Sequence, residues 1–206
     1  MKKTLTMVLA FALVFALGVG GTLAWLTAET TEVKNTFTVG DINIELDETV
    51  SNEFHFVPGD KLAKDPYVTV KANSEKCYVF VKAVEANNTY NGLTGDIINW
   101  SVVTGENEWK QVAGTDIYWR VVENSTNDQT FYILTGEGTG EYKNGVVTVN
   151  TGVTKAMVNG NTVGVTNGDI GIEENKPTLT FDAFAYQFDN TTETDAIAAA
   201  KAHFGA

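Results

Sequence analysis

The chain has one cysteine, three prolines, two histidines and a single arginine (Arg120) in 206 residues. One cysteine excludes an internal disulfide, so the fold must rest on its core. The two histidines, His55 and His203, form no His-Glu-x-x-His pair, which excludes a zinc peptidase site of the usual helical spacing. A serine or cysteine nucleophile would need one of these two as its base, and Cys77 with His55 is the spatial option. The formal net charge is −12, and a polyanion with one arginine is poor at neutralising phosphates, so no nucleic-acid partner is expected. Gly136-Glu137-Gly138-Thr139-Gly140 lacks the Gly-Lys-Ser/Thr of a phosphate loop, and Glu137 and Glu141 would repel phosphate; it reads as a flexible loop.

What is present is globular: 43% hydrophobic and 19% charged residues. The length suits one domain, or two small ones. Without residues 1–24 the chain has 182 residues and a net charge of −14. At that size roughly 70% of the unfolded surface is buried on folding. Two acidic groups, Asp189 to Asp195 and Asp169 with Glu173 and Glu174, place oxygens at short spacing. Neither matches the twelve-residue calcium loop, and both read as solvated surface. No catalytic, metal or cofactor residues are assigned, and the chain is not expected to be an enzyme. Paired carboxylates for glycoside hydrolysis stay open, since their separation is set in three dimensions. Trp25, Trp100, Trp109 and Trp119 could stack on sugars, but in a sandwich large aromatics belong to the core. Cys77 lies in the strand pattern Cys77 to Val84 and reads as a small buried hydrophobe. An intermolecular disulfide is the lesser reading.

Lys2 and Lys3 precede an unbroken apolar run from Met7 to Leu17, which Gly18, Gly20 and Gly21 end. Thr22-Leu23-Ala24 puts small residues at −3 and −1 of a cleavage site. This is the layout of a secretory signal peptide spanning 1–24, with a junction at Ala24 and Trp25. An uncleaved anchor is the alternative, because Thr4 to Ala28 is uncharged and long enough to span a bilayer. The three glycines and the short apolar centre favour cleavage. Beyond it, residues 25–39 form an extended N-terminal segment and residues 40–206 the main domain.

That domain reads as strands and turns. Ile42, Ile44 and Leu46 alternate with Asn43, Glu45 and Asp47, giving one wet and one dry face. Further strand patterns run over Tyr67 to Val70, Cys77 to Val84, Ile97 to Val103, Ile117 to Val122 and Thr130 to Leu134. Val146 to Val149, Lys155 to Val158, Thr162 to Val165 and Thr178 to Tyr186 follow. Pro58-Gly59-Asp60 and the Asn-Gly pairs at 91, 144, 159 and 167 are turn signals, and Val158 to Thr162 is the cleanest hairpin. The expected fold is all-β, a two-sheet jelly-roll-type β-sandwich. One short C-terminal helix is expected: Thr192 with Asp195 resembles a capping box, Ala196 to Ala202 is alanine-rich, and Gly205 suits a C-cap. Ile197, Lys201 and Phe204 share a face, which places this helix weakly on the sandwich or at its edge.

Two stretches together carry a resemblance. Gly20-Gly21-Thr22-Leu23-Ala24-Trp25-Leu26-Thr27-Ala28-Glu29-Thr30 leads into Asn35-Thr36-Phe37-Thr38-Val39-Gly40-Asp41-Ile42-Asn43-Ile44, and Val57-Pro58-Gly59-Asp60-Lys61-Leu62 follows. This order resembles the TasA/camelysin family of exported Gram-positive proteins, whose signal peptide is cut by a SipW-type signal peptidase. Leu23 replaces the family's aromatic, Ile42 and Ile44 its leucines. The resemblance covers about residues 18–85, with Leu179 to Tyr186 matching weakly. It implies a subunit of extracellular biofilm-matrix fibres, with itself as partner, touching the membrane only through the signal peptide. It also implies that the segment freed by cleavage, Trp25, Leu26, Thr27, Ala28, Glu29, Thr30, Thr31, Glu32, Val33, Lys34 and Asn35, is a donor strand for the next subunit. A frayed tail is the plain alternative. The physics is general: an unpaired sheet edge accepts a neighbour's strand, and a head-to-tail contact propagates. Camelysin-type members carry a metallopeptidase label, the second reading; a monomeric surface adhesin using Gly136 to Gly145 is the third.

Overall fold

A computed structural model describes residues 41–50, 57–137, 140–154, 157 and 176–206. These residues lie in one compact unit, Gly40–Ala206. The strands are β1 (Ile44–Asp47), β2 (Lys61–Ala63), β3 (Tyr67–Val70), β4 (Cys77–Ala86), β5 (Ile98–Asn99), β6 (Lys110–Gln111), β7 (Ile117–Val122), β8 (Gln129–Tyr132), β9 (Val146–Val149) and β10 (Thr178–Gln187). Among the described residues an α-helix, α1 (Glu193–Phe204), follows the last strand. The expected all-β sandwich with a short C-terminal helix is borne out. The expected strand Thr162 to Val165 and the Val158 to Thr162 hairpin lie outside the described residues; of the expected strand Lys155 to Val158 only Met157 is described, and it is helical, its N–H donating to Thr154 O at 3.0 Å.

Among the described residues all strand pairs are antiparallel, in three sheets ordered β1-β3-β8, β10-β4-β7-β6 and β2-β9-β5. The expectation was two. One layer is the four-stranded sheet; the opposite layer is split. The split falls at Lys64-Asp65-Pro66, between β2 and β3, where proline supplies no N–H and a ladder cannot run through. Ile133 N–H extends the β3–β8 ladder by donating to Pro66 O at 2.9 Å, and Val146 N–H crosses the split to Thr135 O at 3.2 Å. At Gly145 the chain passes so close to β2 that a Cβ would lie 2.0 Å from Lys64 O, so only glycine fits.

β4 is the spine. Its residues alternate between two cores. Cys77, Val79 and Val81 pack with Val68, Val70 and Trp109 between the layers. Tyr78 and Phe80 pack with Ile117 and Trp119 on the other face, beneath Ala196 and Ala200 of α1. Burial on both faces explains why its first five residues form an apolar run rather than an alternation. Each fully buried side chain there contributes about 1.5–3 kcal/mol of transfer free energy.

The helix is where its end signals place it. Thr192 is the N-cap, its hydroxyl accepting from Asp195 N–H at 3.2 Å and donating to Asp195 Oδ2 at 2.6 Å. Gly205 closes the other end in the left-handed region, φ 66°. Of the two expected positions, on the sandwich or at its edge, α1 takes the first and covers the outer face of the four-stranded sheet. Its contact stripe is Ala196 and Ala200, fully buried, flanked by Ile197 and Phe204. Small alanines let helix and sheet approach closely, and Lys82 Nζ donates to Phe204 O at 2.8 Å at the helix end.

Candidate functional site: an open groove between two sheet edges

The two long sides of the sandwich differ. On one, residues 100–109 cross between the layers and close them. Val103 N–H donates to Ile133 O at 2.9 Å, Trp109 N–H to Val103 O at 3.2 Å, and Trp109 Nε1 to Tyr132 O at 2.8 Å. Arg120 pins this side: Nη2 donates to Asn107 O at 2.7 Å, Nη1 to Glu108 Oε2 at 3.3 Å, and the guanidinium lies 3.9 Å over the Phe131 ring. Burial lowers the Arg120 pKa, and Glu108 opposes that shift.

The other side is open. It is bounded by three edge strands, β1 and β2 in the split layer and β10 in the four-stranded sheet. Between them lies a groove of about 500 Å3, mainly apolar, with Leu46, Leu62, Val147, Leu179 and Phe181 in its walls. Residues that belong inside a closed sandwich are only half-buried here: Ile42, Ile44, Leu46 and Phe181.

Bond alternation shows which backbone groups face outward. Phe188 N–H donates to Lys76 O, so the even residues of β10 bond to β4 and the odd ones, Leu179, Phe181, Ala183 and Ala185, point away. Lys71 N–H donates to Asn43 O, so the odd residues of β1 bond to β3, and Ile44, Leu46 and Glu48 point away. Two unpaired edges therefore flank the groove among the described residues.

The floor on the β1 side is braced by charge. Asp65, 5% exposed, accepts from Thr49 N–H at 3.0 Å, from Val50 N–H at 3.1 Å and from the Thr49 hydroxyl. Beside it Lys64 pairs with Glu48 at 2.9 Å, with side chains 11% and 18% exposed. Together they hold residues 48–50 across the end of β2.

The sequence-derived site residues, Ala24 and Trp25 through Asn35, lie outside the described residues, as do His55, Asp169, Glu173 and Glu174. Cys77 is fully buried, and burial pushes its thiol up to about 11; the reading as an inert core cysteine holds. Trp109 and Trp119 are core as expected, and Trp100 sits edge-on to Phe181 while donating to Glu85. Asp195 is committed to the helix cap. The Gly136 to Gly140 stretch, expected as a flexible loop, is tightly packed at Gly136, where a Cβ would lie 2.1 Å from Lys143 O. A metal fits none of this: among the described residues no three His, Cys, Asp or Glu converge, and His203 is stacked on Phe184 at 4.4 Å. No helix among them is long and apolar enough to cross a membrane. Sequence reasoning missed the groove, because the edge status of β1, β2 and β10 is a property of sheet order.

In comparisons with known proteins, the model of the camelysin metallo-endopeptidase family matches residues 1–89, just under half of the chain. This bears out the resemblance to the TasA/camelysin family over that stretch. The family's description points toward a peptidase, where no enzyme was expected from the residues. No curated protein and no solved structure matches.

Proposed function

We propose that the protein is a structural subunit of extracellular fibres, such as those of a biofilm matrix, assembling head to tail by donor-strand complementation. The observation that carries this reading is the open groove: an apolar slot of about 500 Å3 with an unpaired strand edge on each side. Such a slot is stabilised by adding one strand, which supplies both the missing ladder and the missing side chains. The occupant is Trp25 to Asn35 of a second copy, a Thr-rich stretch without Gly or Pro. A SipW-type signal peptidase would free it by cutting after Ala24, and the mature protein would be secreted and held in the matrix or at the cell surface. One subunit filling the groove of the next leaves its own groove empty, so growth does not close.

Electron microscopy of the purified mature chain tests this. Filaments are expected, and removal of Trp25 to Asn35 should leave a soluble monomer. A truncated chain that still polymerises would refute the donor strand. The family's description supports a second reading, a secreted or cell-surface metallopeptidase. It requires casein cleavage that is lost on chelation and in His55→Ala.

A further inference from the structure

Both walls of the groove end in the same device. On β1 the outward N–H of Glu48 donates to Asp47 Oδ1 at 2.8 Å; on β10 the outward N–H of Ala183 donates to Asp182 Oδ1, also at 2.8 Å. In each case the acceptor is the exposed carboxylate of the preceding residue. In each case the donor is one that an added strand would need. Glu48 is the last β1 residue of the groove, and Ala183 lies just past Phe181, the last β10 residue, packed in the same cluster as Ile44. Inside these limits the outward groups of Leu46, Leu179 and Phe181 have no partner among the described residues.

We propose that Asp47 and Asp182 are a matched pair of edge caps that frame the groove and restrict a docking strand from a second copy to a short ladder. This rests on the fibre reading above. A charged acceptor holds an N–H more strongly than the neutral carbonyl of an incoming strand does. Each cap therefore wins the competition at its position and ends the ladder there. The occupant stays the N-terminal segment. The described residues begin at Asp41, and the eleven residues from Trp25 to Asn35 reach about 36 Å when extended, far more than a ladder to Leu179 and Phe181 requires. A segment with so much surplus length slides unless something fixes its register, and the two carboxylates supply that stop.

The test uses the mature chain and a fluorescent synthetic peptide of residues 25–35, read by anisotropy. Asp47→Ala and Asp182→Ala should each tighten binding about fivefold, the worth of one added hydrogen bond. Asp47→Asn and Asp182→Asn keep an accepting oxygen but lose the charge that favours it, so they should tighten binding by clearly less than the alanine variants. Amide exchange at Glu48 and Ala183 should quicken in the alanine variants without peptide. If the alanine variants bind no more tightly, or the asparagine variants match them, the caps are refuted and charge alone is acting. If the peptide binds no form of the protein, the donor-strand reading itself falls, and the caps with it.

Discussion

Asp65→Ala is the sharpest test of how the groove is built. The carboxylate is 5% exposed and accepts three bonds, two from the backbone N–H groups of Thr49 and Val50 and one from the Thr49 hydroxyl. Thr49 is exposed and Val50 half-buried, so water reaches these donors once the acceptor is gone. That limits the loss to the net worth of each bond, about 1 kcal/mol, and the total to about 3 kcal/mol. Asp65→Asn keeps one accepting oxygen but turns an amide toward a donor, so about 2 kcal/mol is expected. Urea unfolding should show a lower midpoint at an unchanged slope. Hydrogen exchange should quicken at Thr49 and Val50 before it does in β4, because the strap opens locally. Binding of the residue 25–35 peptide should weaken with it, since Glu48, next to the two residues that Asp65 holds, lines one end of the groove. Glu137→Ala is the contrast: its pair with Lys61 at 2.6 Å is well exposed and should contribute less than about 1 kcal/mol. A loss below about 1 kcal/mol in Asp65→Ala, or one spread evenly over the sheets, would refute the strap.

Other outcomes follow from the same contacts. Cys77 should resist alkylation at pH 8 until the chain unfolds. Its thiol is raised from 9.0 to about 11, so folding favours the neutral form; that contribution is complete below pH 9 and is lost as pH climbs through about 11, which pH-dependent unfolding would show. Arg120→Lys should cost about 1–3 kcal/mol despite keeping the charge, because an ammonium cannot serve Asn107, Glu108 and the Phe131 face together. Ala200→Leu should lower the melting temperature and raise proteolysis near the C-terminus, as α1 has no room there for a larger side chain. Gly145→Ala should destabilise by at least about 2 kcal/mol through its clash with Lys64 O, read by calorimetry.

Much of the fold was legible because its signals are local. Period-2 alternation located β1, and the strand pattern at Cys77 located β4, while its burial on both faces emerged only with the packing. Thr192, Asp195 and Gly205 fixed both ends of α1 through backbone bonds that nearby residues make. What stayed hidden is non-local. β2 and β6 span three and two residues, too short for any periodicity. The split of one layer follows from where Pro66 meets β8, and no window of sequence contains both. The docking face of α1 was misjudged because two alanines carry little hydrophobic signal while their small size sets the packing distance. The groove is an order of strands, and the caps at Asp47 and Asp182 have meaning only once those strands are known to be edges.

The double burial of β4 has a consequence for when the molecule becomes safe. Tyr78 and Phe80 are shielded on their outer side by α1, more than a hundred residues further along the sequence. A polypeptide emerging N-terminus first carries a sticky aromatic ribbon from β4 onward, with no lid until α1 has followed it. A nick ahead of α1, or a stalled chain lacking it, would leave that ribbon bare. Quality control acting on such products would find there a ready mark of an unfinished copy.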